Sequence, residues 1–153
     1  MNNLKKIGVV VGISALMLTG CATNENVEGD LTDLMVSVYE NVGDDEKPAN
    51  LENIEVTEDL MQYFIGTTDL EVEEILANES PIGSVAHSVV LIRVSETQDV
   101  EEAKTLIKEN VDPRKWICVE AESVYVESKG DLIILVMSGT ATADKIVENF
   151  KNL

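Results

Sequence analysis

Beyond residue 30 the apolar positions alternate between a helical and a strand rhythm. Leu31, Leu34, Met35, Val38 and Val42 form one helical stripe, so the pattern predicts a helix over Asp30 to Val42. Asp30 caps it, Asp33 suits its positive end and Gly43 stops it. Asp44 to Asn50, with Pro48, reads as a loop. A second helix opens at Thr57 or Glu58 and runs through Phe64, with Leu60, Met61 and Phe64 on one side; Gly66 to Asp69 ends it. Residues 70–79 favour helix by propensity. They lead into a turn, Ser80-Pro81-Ile82-Gly83, and a long strand, so they are assigned as the first arm of a hairpin.

Ser84 to Val94 is the second arm. Val89-Val90-Leu91-Ile92 is continuously apolar, which requires cover on both faces. A helix follows, its N-terminus served by Ser95 with Gln98, or by Thr97; Val100, Ala103, Leu106, Ile107 and Val111 form its stripe, and Pro113 ends it. Trp116 to Val119 is a short apolar segment. Ser123 to Glu127 alternates as a half-buried strand, Lys129-Gly130 makes a turn, and Asp131 to Met137 is the most apolar strand, hence central. Thr140 or Thr142 caps a last helix with Ile146, Val147 and Phe150 facing inward. The predicted order is α-α-β-β-α-β-β-α: an α+β, two-layer domain with a mainly antiparallel four-stranded sheet, the N-terminal helices being candidates for covering the second face.

The start of the chain obeys a different pattern. Lys5 and Lys6 precede an apolar run from Ile7 to Met17, then Leu18-Thr19-Gly20-Cys21 and an abrupt polar stretch. A charged head, a short apolar middle and small residues before a cut describe an export signal. The run is too short for a spanning helix. Leu18-Thr19-Gly20-Cys21 resembles the lipobox of bacterial lipoproteins. That resemblance implies cleavage before Cys21 and a diacyl group on its sulfur, enough for stable anchoring because one chain alone holds only marginally. The expected organisation is a signal peptide at 1–20, a lipidated tether at 21–29 and a single domain at 30–153.

Charge narrows the partners. The full chain has 11 basic and 29 acidic residues, a net charge of −18. Loss of the two signal lysines leaves a still more acidic body, a poor partner for nucleic acid. The acidity suits solubility; a calcium loop would need D-x-D-x-D-G spacing, which Gly43-Asp44-Asp45-Glu46 lacks. If Cys21 carries lipid, Cys118 has no intramolecular partner.

Motifs that carry chemistry are sparse. His87, the single histidine, excludes a multi-histidine metal site. It is read as a capped or partly exposed side chain near a strand start, or as a base for Cys118. Cys118, beside Trp116, reads as a small buried hydrophobe. Glu73-Glu74, Glu101-Glu102 and Glu120 with Glu122 suit a solvated acidic face better than a catalytic pair. G-x-S-x-G, H-E-x-x-H and Walker patterns are missing from the sequence, and no cofactor is implied. Lys104, Lys108, Arg114 and Lys115 form a candidate basic patch that would face anionic lipid or an anionic wall polymer. The alternative is local pairing of these side chains with Glu101 and neighbouring acids.

Four stretches, Ala86–Val94, Asp99–Lys104, Glu127–Leu135 and Ala143–Phe150, together with the lipobox-like start, resemble the lipoproteins of Gram-positive, clostridial-type bacteria that carry domain of unknown function 4358. The resemblance implies the outer face of the cytoplasmic membrane and supplies no catalytic residues. The expected role is a non-enzymatic, lipid-anchored module that binds an envelope protein or wall polymer. The alternative is a small wall- or peptide-modifying enzyme using acidic residues or a Cys118–His87 pair.

Overall fold

The computed structural model describes residues 25–153. The predicted signal and Cys21 lie outside the described residues. The elements are α1 (Leu31–Val38), β1 (Glu52–Glu55), α2 (Glu58–Ile65), β2 (Val72–Glu79), β3 (Ser88–Val94), α3 (Val100–Asn110), β4 (Ser123–Lys129), β5 (Leu132–Ser138) and α4 (Thr140–Lys151). The α+β class and the antiparallel sheet are as expected, and residues 72–79 form a strand against their helical propensity. The sheet has five strands, not four, in the order β1-β2-β3-β5-β4. The additional strand, Glu-Asn-Ile-Glu, has one apolar residue and no alternating run. Its conformation comes from pairing with β2, Glu52 opposite Glu79 and Glu55 opposite Leu76.

The two-layer expectation also needs correction, because helices cover both faces. On one face Ile75, Ala77, Val90, Ile92, Ile133 and Leu135 pack under α2 and α3. On the other, Val89, Leu91, Ile134 and Val136 pack under α1 and α4. The continuous apolar runs of β3 and β5 demand this arrangement, since every residue of each strand needs a dry side. The two N-terminal helices therefore divide between the faces.

Two helix starts differ from expectation. α3 is capped by Asp99, which accepts from the Glu102 N–H at 2.8 Å, not by Ser95 or Thr97. Neither Thr140 nor Thr142 caps α4; Gly139 occupies the cap position and the Glu122 carboxylate accepts from the Thr140 N–H at 3.0 Å. Thr142 instead donates to the Glu46 carbonyl at 2.6 Å.

Two ends of the sheet now have distinct characters. At one end lie Val94, Leu132 and Lys129, and here the N-terminal segment is docked. Arg93 Nη1 donates to the Val27 carbonyl at 2.7 Å and Nη2 to the Gly29 carbonyl at 2.8 Å. Val27 is buried, and the hairpin turn at Gly130 lies against Glu25 and Asn26. The part of the expected tether that is described, residues 25–29, is thus fastened to the body. At the other end lie Glu79, Ser88, Ser123 and Ser138.

Candidate functional site: the polar end of the sheet

Buried polar side chains gather at the end of the sheet away from the docked N-terminal segment. On the α2–α3 face the centre is Glu79, the last residue of β2. Glu79 shares its parity with Ile75 and Ala77, so the strand carries its carboxylate into the core side. Lys115, from the loop after α3, reaches Glu79 Oε2 at 2.6 Å and Ser88 Oγ at 3.2 Å. Tyr63 Oη and Trp116 Nε1 each donate to Glu79 Oε1 at 3.0 Å. The lysine and glutamate side chains are 4% and 6% exposed. Three rings surround the ammonium, with centroids at 4.4 Å (Tyr63), 4.6 Å (Phe64) and 5.2 Å (Trp116). Rings and carboxylate together form an ammonium cage of the kind used for methylated amines, filled here by the chain's own lysine.

Electrostatics follow from the burial. Desolvation lowers the Lys115 pKa while Glu79 opposes the shift. The Tyr63 hydroxyl is pushed up to about 12 by desolvation and by the Glu79 charge, so it stays a donor. Both charges are satisfied internally. The geometry makes this an anchor for the 112–122 loop, with both carboxylate oxygens and the lysine nitrogen engaged inside the fold.

On the α1–α4 face, His87 is 1% exposed, a correction to the expected partly exposed side chain. Its Nε2 lies 2.7 Å from the Tyr39 hydroxyl and its Nδ1 2.8 Å from Ser138 Oγ. One ring nitrogen donates and the other accepts, so the neutral ring is fully bonded. Burial lowers the His87 pKa to about 4, against the pull of Glu79, and burial raises the Tyr39 hydroxyl far above its usual range.

This geometry separates Cys118 from His87. Cys118 is exposed, not buried, with a backbone φ of +61°, although Trp116 two residues before it is buried. Its loop packs through Trp116, Val119 and Ala121 on the α2–α3 face. The His87 ring faces the other layer, with both nitrogens already engaged. The candidate basic patch is likewise divided. Lys115 is enclosed, Lys104 pairs with Glu101 at 2.9 Å, and Arg114 pairs with Glu120 at 3.1 Å. Lys108 is exposed, without an ion-pair partner among the described residues.

Sequence reasoning missed Glu79, Tyr63, Tyr39 and Ser138. Only Glu79 had a local signal, a carboxylate on the inward parity of a strand. The others are defined by partners 16 to 51 residues away. Among the described residues, no group of three or more His, Cys, Asp or Glu is placed to hold a metal ion, and no helix is long and apolar enough to cross a membrane. Comparisons with family models, curated proteins and solved structures give no match to this chain.

Proposed function

We propose that this protein is a lipid-anchored module of the outer face of the cytoplasmic membrane, working by binding a protein or another envelope component. The observation that carries the reading is the start of the chain: Lys5-Lys6, the apolar run to Met17, and Leu18-Thr19-Gly20-Cys21. The resemblance of the body to clostridial-type lipoproteins with domain of unknown function 4358 agrees with it. A binding role rather than catalysis is favoured by the buried groups, because Glu79 and Lys115 direct their charges at each other and His87 directs its ring nitrogens at Tyr39 and Ser138.

The experiment is mass measurement of the mature protein extracted from membranes. The expected product begins at Cys21 with a diacylglyceryl adduct, and Cys21→Ser leaves the membrane fraction. An unmodified N-terminus, or a Cys21→Ser protein that stays membrane-bound, refutes the anchor. Recovery of only the bait from detergent-solubilised envelope counts against the binding role.

A further inference from the structure

β1 and β4 are the edges of the sheet, and they are treated differently. β4 is packed under both α3 and α4, whereas the main neighbour of β1 is β2. The Val56 N–H bonds to the Ile75 carbonyl at 3.0 Å, in register with the β1–β2 ladder. The antiparallel alternation therefore turns the backbone groups of Ile54 and Glu52 towards β2 and those of Asn53 and Glu55 outward. Among the described residues, no backbone group bonds to these outward N–H and C=O groups. Glu52, Asn53 and Glu55 are exposed.

Beside this edge, between β1 and α1, lies a groove of about 740 Å³. Its walls include Met35, Val36, Tyr39, Leu51, Asn53 and Asn78. Val36 is 70% exposed on a helix whose other apolar residues are buried. Asn78 is 8% exposed; its Nδ2 donates to Asn53 Oδ1 at 2.7 Å, while its own Oδ1 has no hydrogen-bond partner. A buried acceptor without a donor is uncommon and marks a place where a donor belongs.

We propose that the free edge of β1 and the adjoining groove dock an extended, basic segment of a partner protein, which adds to the sheet as a sixth strand. An added strand satisfies Asn53 and Glu55 through its backbone and sends alternate side chains towards Val36 and Leu51. Its sign is set by charge. Glu52 and Glu55 flank the edge and Glu40 stands at the groove, while Lys47, the one cation lining it among the described residues, is held by Asp44 at 2.9 Å. The acidic edge repels a second copy of this acidic chain, the usual protection against self-pairing, and admits a strand of opposite charge. The inference rests on the reading of the protein as a binding module and names its surface and the chemistry of its partner.

The test uses the full-length chain in detergent and two dye-labelled, end-capped octapeptides, one alternating Val and Lys and one alternating Val and Glu. Saturable binding of the Val–Lys peptide is expected, at least tenfold tighter than the Val–Glu peptide, with amide-exchange protection at residues 52–56. Glu55→Pro removes an outward N–H while sparing the ladder to β2, and weakens binding at least tenfold. Glu52→Lys with Glu55→Lys, two exposed changes, reverses the preference between the peptides. No binding, equal binding of both peptides, or protection away from β1 overturns the proposal. So does a Glu55→Pro protein that is folded and binds as before. Acylation of Cys21 does not enter this assay, so its failure and that of the anchor are separable. Failure here alongside a partner recovered from the envelope moves the binding surface and leaves the binding role.

Discussion

A buried ion pair is held in place by what surrounds it. Lys115 and Glu79 are both desolvated, and their attraction competes with that loss. Removing one partner leaves an uncompensated charge in the core. Lys115→Ala is expected to destabilise the protein by about 3–5 kcal/mol in denaturant unfolding. Lys115→Met combined with Glu79→Gln should lose much less than the two single changes summed, because no charge remains buried. His87 makes a complementary prediction. Its pKa is lowered to about 4 in the fold against 6.5 for the free side chain, so protonation favours the unfolded chain. The stabilisation is complete above pH 6.5 and declines as pH falls towards 4, by roughly 3 kcal/mol in all. His87→Gln should flatten that part of the stability–pH curve relative to the native protein. An unchanged slope assigns acid sensitivity to carboxylates instead.

At the scale of elements, close approach decides what a turn tolerates. Gly66 ends α2 with φ of +79°, and a Cβ there would stand 2.3–2.5 Å from the backbone of Asn110 and Val111 at the end of α3. Two helix termini meet at this point only because the residue lacks a side chain. Gly66→Ala is expected to destabilise by more than about 1 kcal/mol, read as a lower denaturant midpoint. Gly43→Ala should cost less, since its added Cβ meets only the side-chain ends of Asp45 and Glu46 and its φ is not positive. β1 shows the opposite relation between element and sequence. It is a strand because β2 offers it a ladder, and its own four residues favour that state weakly.

For the whole molecule, the position of the first described residues sets which end of the sheet an anchor on Cys21 would draw towards a membrane. Arg93 holds Val27 and Gly29 at the Gly130 end of the sheet, its charge favoured by Glu74 and Asp131 despite burial. Four residue steps separate Cys21 from Glu25, at most about 14 Å of chain. An acylated Cys21 would therefore keep the Gly130 end near the lipid and hold the polar end roughly 20 Å farther out, the length of a seven-residue strand. With the Cys21-acylated form in vesicles containing nitroxide-headgroup lipid, a fluorophore at Glu96→Cys should be quenched more than one at Ile82→Cys, each in a Cys118→Ser background. Equal quenching would mean that the body has no fixed orientation.

Periodicity determined most of the architecture. The stripes of α1, α3 and α4, the hairpin arms around Pro81 and Gly130 and the two-sided dryness of β3 and β5 are properties of neighbouring residues, so the chain states them locally. The candidate site was legible only in fragments. His87 and Lys115 stood out by residue type, but whether they faced water or core depended on Tyr39, Ser138, Glu79 and Tyr63, brought in from distant elements. An ammonium can leave water only where a carboxylate and rings converge on it, and a short acidic strand forms only beside a partner. Both conditions are set by long-range packing, which is why the tertiary structure alone decided them.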